Sequence, residues 1–337
     1  MREWFKLSKE ERLNIINQVS IQTQLLPVAV EKDLWVMIAL RAIFNTEIAE
    51  HLVFKGGTSL SKAWKVIERF SEDIDLAIDR SFFGLQDKKM TKNQVTKLRK
   101  MSCKYVSETY IHLLEKALTG QDVEEFQLHL TDFEDSDTDP IAIEVRYDSI
   151  VEKQNYLQPR ILVEISSRSL KEPFEVKKLK SFISKAYPDQ PFSDAAIEVP
   201  TVLPTRTLLE KLFLLHEEFQ KPKDRPIRSA RMTRHLYDID RLMNTEHLEL
   251  ALADKELYKT IVEHRKTLTK ISWVDYATHN YPTLNFIPPE QAMKSYREDY
   301  RAMEESMFYG KTKSFDDLLE NLKQLNQRIN RLEKLNL

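Results

Sequence analysis

Two carboxylates one strand period apart, Asp73 and Asp75, follow a glycine pair, Gly56-Gly57, with room for a short helix between them. The glycines sit in Phe54-Lys-Gly-Gly-Thr-Ser-Leu-Ser-Lys62 and the acids in Ser71-Glu-Asp-Ile-Asp-Leu76. Side chains at i and i+2 of a strand share a face, so Asp73 and Asp75 can share metal ions. A glycine turn at a helix start lets backbone N–H groups approach phosphate oxygens with no Cβ in the way, and Ser59 can add a hydroxyl. Transfer of a nucleoside monophosphate needs both halves: Mg²⁺ held by carboxylates, and positive or N–H groups on the leaving pyrophosphate. Alone, a Gly-Gly is mostly a turn and an Asp-x-Asp mostly a solvated strand edge. Their order and spacing point to a nucleoside triphosphate handled with Mg²⁺. The Gly-x-x-x-x-Gly-Lys loop and the dinucleotide-binding fingerprint are both missing.

The elements that must position these residues are legible from hydrophobic periodicity. His51 to Phe54 reads as a strand, Thr58 to Ile67 as a helix and Ile74 to Ile78 as a half-buried strand. Upstream, Ser8 with Glu11 forms a capping-box pattern opening a helix over 8–20, and a second helix spans 28–44. Glu31, Lys32 and Asp33 fall in its first turns, as a solvated, dipole-compatible start or as support beside the site. Downstream, strands are expected around 126–130, over 141–147 and over 160–166. Glu144 and Glu164 each lie between apolar neighbours on these strands, and either can be a third carboxylate. Prolines at 173 and 188 bracket an expected helix, 175–186. Beyond Pro200 and Pro204 the pattern is helical: 207–219, 236–243, 255–268, 289–307 and 315–335. The fold class is α+β, with a nucleotide-handling domain over 1–200 and a helical domain over 201–337.

The chain has 337 residues, 42% hydrophobic and 31% charged, with a net charge of −2. That is an ordinary globular composition with no global bias toward nucleic acid. Two local segments differ. Lys88 to Lys104 carries seven Lys/Arg and no acid, and Lys221 to Arg234 carries six Lys/Arg and one acid. Either suits a phosphate backbone. The run 121–139 is the opposite, with eight acids, and reads as a solvated hairpin. Cys103 is the only cysteine, which excludes internal disulfides and cysteine-rich zinc sites. No secretory segment follows Met1 and no apolar run is long enough to span a bilayer, so the expected location is cytoplasmic.

Lys55-Gly-Gly-Thr-Ser-Leu-Ser-Lys62 with Arg69-Phe-Ser-Glu-Asp-Ile-Asp75 resembles the first motif of the AbiEii-type nucleotidyltransferase toxins, within the DNA polymerase β-like superfamily. Glu31-Lys-Asp33 with Trp35 is similar to the family's N-terminal helix. Arg160-Ile-Leu-Val-Glu-Ile-Ser-Ser-Arg168 resembles its carboxylate strand, and Thr207 to Glu217 its lysine helix. Arg234-His-Leu-Tyr-Asp-Ile239 is similar to its late aspartate motif, and Asp299 to Phe308 to its C-terminal segment. The resemblance implies a polymerase-β-like palm followed by an all-helical domain. It implies Mg²⁺-dependent transfer from an NTP to RNA, with tRNA as the substrate class. It further implies a toxin role with a separately encoded antitoxin, linked to abortive phage infection. Asp73, Asp75 and Glu164 would bind metal. Gly56, Gly57, Thr58, Ser59 and Lys62 would hold the triphosphate, Lys211 would contact phosphate and Asp238 would complete the site. From residue types alone, Lys211 equally suits pairing with Glu210 or Glu217, and Asp238 with Arg234 at i, i+4. The rival functions are transfer to a small molecule or protein hydroxyl, and a non-catalytic nucleotide-binding module.

Overall fold

The computed structural model describes residues 2–85, 90–123, 125–152, 158–168, 171, 173–309 and 312–336. Lys88 and Lys89 of the first basic segment lie outside these. The chain divides into two compact units, Met1–Ala63 with Phe70–Val202, and Trp64–Arg69 with Leu203–Leu337. The short stretch between the glycine turn and the carboxylate strand therefore belongs with the C-terminal half.

The first unit is built on a seven-stranded mixed sheet. Its strands are β1 (Leu52–Lys55), β2 (Ile74–Ile78), β3 (Phe126–Leu130), β4 (Ile141–Tyr147), β5 (Arg160–Ser166), β6 (Phe174–Leu179) and β7 (Ile197–Val202), in the order β3-β4-β5-β2-β1-β7-β6. β2 runs antiparallel to β1 and parallel to β5, and β5 is antiparallel to β4. Register follows from the alternation of side chains. One face carries Phe54, Ile74, Leu76, Ile143, Val145, Ile161, Val163 and Ile165, all 0–1% exposed. The opposite face carries Lys55, Asp75, Glu164 and Glu144. One side of the sheet is apolar core, and the other carries these four polar residues together with the buried Val53 and Ala77.

Helix Lys9–Thr23 starts with the expected reciprocal cap: Ser8 Oγ accepts from Glu11 N at 3.2 Å, and Ser8 N donates to the Glu11 carboxylate at 2.8 Å. Helix Pro27–Ile43 opens on Pro27, whose missing N–H costs nothing in a first turn. It packs against Lys9–Thr23, against helices Ile111–Thr119 and Phe182–Ala186, and against β5.

Two expectations fail locally. Residues 175–186 are strand β6 followed by the short helix Phe182–Ala186, because Glu175 to Leu179 pairs antiparallel with β7. β7 itself was hidden by Pro200, a residue that argues against a strand. The helix expected to Ile67 ends at Trp64. It widens into a π turn over Ser59–Trp64, and Lys65 then takes a left-handed conformation, φ 57°.

The second unit is helical: Pro204–Glu218, Thr233–Leu242, Glu246–Ala253, Lys255–His264, Met293–Ser306 and Phe315–Asn330 are its main helices. Pro204–Glu218 packs on Thr233–Leu242 and Glu246–Ala253, and Thr233–Leu242 packs on the last two. Asp299 caps Thr233–Leu242, accepting from Thr233 N at 2.9 Å and from Thr233 Oγ1 at 2.5 Å. Among the described residues no helix is long and apolar enough to cross a membrane.

Candidate active site

The glycine turn packs against the carboxylate strand at Gly56. Gly56 has φ +77°, and a Cβ built there would lie 1.8 Å from Asp75 Oδ2. Only glycine fits, for two independent reasons: the left-handed backbone and the carboxylate packed over its Cα. Thr58 draws the same two segments together. Its hydroxyl donates to the Asp73 carbonyl at 2.5 Å and lies 3.0 Å from Ser71 Oγ. Ser59 is fully buried and donates to the Gly56 carbonyl at 2.8 Å, so it closes the turn.

Register identifies the neighbour of Asp75. It pairs with Lys55 on β1 and with Glu164 on β5, and adjacent strands lie only about 4.8 Å apart. Asp73, just before β2, shares the face by parity. Glu144 shares it too, opposite Leu162 on β5. Its carboxylate, however, is held by Arg160 and by Arg146, 2.6 Å away, and is 6% exposed. Glu164 sits beside Asp75, whereas Glu144 is engaged by two guanidiniums one strand further out.

Around this face the turn Glu31-Lys32-Asp33 is buried, at 3%, 1% and 5% exposure, so it is not a solvated helix start. Lys62 pairs with Asp33 and lies over the Phe182 ring, 5.2 Å from its centre. Burial pushes the Lys32 ammonium below its ordinary range, against the pull of its partner Glu72. Burial likewise raises the Glu31 carboxyl, opposed by hydrogen bonds from Ser149 and Ile150. Asp139, on the acidic run, accepts from Ser167 Oγ at 2.6 Å, and its carbonyl accepts from Arg168.

In the helical unit, Lys211 and Asp238 are brought together with Arg69. Asp238 is 0% exposed. It accepts from Arg69 Nε at 2.7 Å and Nη2 at 2.8 Å, and lies 2.9 Å from Lys211 Nζ. Burial alone would raise this carboxyl, but Arg69 and Lys211 together hold it below the usual carboxylate range. Burial lowers the Lys211 ammonium, with Asp238 resisting. Lys211 Nζ also lies 3.3 Å from His235 Nδ1, and burial, then the neighbouring cations, push that imidazole well below its ordinary pKa. The partners shown for Asp238 are thus Arg69 and Lys211. Arg69 lies 169 residues before Asp238, and that distance in sequence hid the pairing.

Among the described residues no three His, Cys, Asp or Glu side chains stand arranged to hold a metal ion. The available donors are nonetheless the hard carboxylate oxygens that Mg²⁺ prefers. That ion is usually held by one or two carboxylates together with substrate phosphates, and not by an all-protein cage. The chemistry of Asp73, Asp75 and Glu164 fits it on those terms.

A family model described as nucleotidyl transferase AbiEii toxin, type IV toxin–antitoxin system, matches residues 38–321. The chain belongs to the AbiEii family. As an AbiEii protein it is a nucleotidyltransferase and the toxin of a type IV toxin–antitoxin pair. Among solved structures it is similar to MenT4, a nucleotidyltransferase toxin from Mycobacterium tuberculosis H37Rv. The TM-score is 0.52 at 16% identity, over 94% of this chain and 90% of that one. That likeness concerns the fold: a mixed sheet with helices, followed by a helical region. No curated protein sequence matches the chain. The AbiEii match begins after Glu31-Lys32-Asp33, so the buried turn lies outside it.

Proposed function

We propose that this AbiEii toxin transfers a nucleoside monophosphate from an NTP to a hydroxyl of RNA, specifically tRNA, with Mg²⁺ as cofactor. The observation that carries the reading is the pairing of Asp75 with Glu164 in register, with the Asp75 carboxylate packed over Gly56. Asp73, Asp75 and Glu164 would hold Mg²⁺, which when bound supplies Lewis-acid polarisation of the phosphoryl oxygens and charge neutralisation.

The chain's own groups account for the rest. The Gly56-Gly57 turn offers backbone N–H groups to the triphosphate, with Thr58 and Ser59 bracing the turn. Glu164 takes the proton of the acceptor hydroxyl as its oxygen attacks the α-phosphorus and pyrophosphate leaves. Lys62 is the phosphate-contacting cation of the first unit; within the helical unit Asp238 orients Lys211, for which the family resemblance implies a phosphate contact. An RNA acceptor is supported by the exposed basic loop: Lys223, Arg225 and Arg228 face solvent, and the Arg225 guanidinium lies 4.8 Å above the Trp273 ring. Such surfaces bind phosphate backbones and stacked bases. The family's toxin role extends, in this reading, to a cytoplasmic defence that aborts phage infection, restrained by a separately encoded antitoxin.

The test is the purified chain with labelled ATP, CTP, GTP and UTP in turn, each offered purified tRNA, an aminoglycoside or the protein alone. Label on tRNA that depends on Mg²⁺ is expected. Label on the aminoglycoside or on protein would move the acceptor to another class, and NTP binding without transfer would reduce the chain to a binding module.

A further inference from the structure

The buried turn Glu31-Lys32-Asp33 reaches residues next to several segments of the first unit that carry the proposed chemistry. Successive residues on a helix point about 100° apart, so three consecutive side chains reach three places. The Glu31 carboxylate accepts from Ser149 Oγ at 2.6 Å and Ile150 N at 2.8 Å, after β4. Lys32 Nζ pairs with Glu72, which is peptide-bonded to Asp73, and donates to the Gln158 carbonyl at 2.7 Å, two residues before β5. Asp33 divides its oxygens between Lys62 Nζ and Phe182 N, the latter at 2.8 Å. Lys62 lies on the helical segment that the glycine turn opens. Buried ion pairs are poor stabilisers compared with apolar residues of the same size. A helix that had only to pack would be better served by leucines here.

We infer that Lys32 and Asp33 are positioning residues with separate duties: Lys32 holds the carboxylate segment for the metal, and Asp33 holds Lys62 for the triphosphate. The inference rests on the nucleotidyl-transfer reading above. Neither residue touches substrate. Lys32 acts through Glu72 and the start of β5, and Asp33 through Lys62.

The experiment measures two affinities and the melting temperature of the full chain. Mn²⁺ binding is read from loss of the free-ion EPR signal in the presence of a non-hydrolysable ATP analogue. Binding of that analogue at saturating Mg²⁺ is read by calorimetry. For Lys32→Met, metal affinity falls by about tenfold or more, nucleotide affinity at saturating Mg²⁺ stays near wild type, and Lys32→Arg restores the metal affinity. For Asp33→Asn, nucleotide affinity falls by a similar factor and metal affinity does not. If Lys32→Met does not fold, Glu72→Gln takes its place and must show the same metal-selective loss. Variants that melt lower with both affinities unchanged, or that lose both affinities together, would overturn the inference. A wild-type chain that binds neither Mn²⁺ nor the non-hydrolysable analogue of any of the four NTPs would instead overturn the nucleotidyl-transfer reading on which it rests.

Discussion

Gly56 concentrates the physics of the site in one residue. Gly56→Ala forces a left-handed backbone on a residue with a Cβ and drives that Cβ into Asp75 Oδ2. The strain costs about 1–3 kcal/mol, and displacing the carboxylate by about 1 Å is expected to cost on the order of a hundredfold in transfer rate. Gly84 is the control. It shares a positive φ of +71°, but a Cβ there meets nothing within 4 Å, so Gly84→Ala should lower the melting temperature and leave transfer near wild type. Equal activity loss in both variants would refute the contact argument. Asp238 makes a second residue-scale case. Asp238→Ala leaves Arg69 and Lys211 buried without their anion, at a cost of about 3–5 kcal/mol, measurable as a lower urea midpoint. That the glycine turn and the Asp75 strand come together was legible because it depends on local spacing. The Asp238–Arg69 pair was not, since its partners lie 169 residues apart and helical spacing offered a nearer arginine.

At the scale of elements, the ladder places the two candidate glutamates differently, and the family resemblance had already favoured Glu164. Both lie between apolar neighbours on adjacent strands, and only the register shows that Glu164 faces Asp75 while Glu144 faces Leu162. Glu164→Gln should abolish label transfer with little change in melting temperature. Glu144→Gln should lose stability, because Arg146 and Arg160 lose their anion, and should keep measurable activity. The reverse pattern would assign the third carboxylate to Glu144. Strands β1, β2, β4 and β5 were readable from alternation, and the helix start at Ser8 from its capping box. β6 was not: six residues of mixed polarity take their conformation from pairing with β7, and a proline disguised that partner. The π turn over Ser59–Trp64 was equally silent, because its apolar positions also fit an ordinary helix.

For the whole molecule, the assignment of Trp64–Arg69 to the helical unit means that the chain leaves the sheet unit between its phosphate turn and its carboxylates, then returns. Composition marked the later division near residue 200 but nothing marked this one. The helical unit also carries a buried histidine that sets a pH limit. His216 is 4% exposed, and its Nε2 lies 2.9 Å from Thr278 Oγ1. Burial first, then His279, lowers its pKa from 6.5 to about 4. The unfolded chain therefore binds the proton more readily between those values, and stability falls as pH drops from 6.5 toward 4, by roughly 3 kcal/mol in total from this group. Denaturation midpoints measured between pH 7 and 4.5 should decline, and His216→Gln should flatten that part of the curve. An unchanged slope would remove His216 as its source. The central claim is tested most directly by transfer of labelled nucleotide to purified tRNA, with Asp73→Asn and Asp75→Asn compared against wild type at matched folding. The account predicts Mg²⁺-dependent labelling by wild type and none by either variant. Labelling by either variant at the wild-type rate would contradict it.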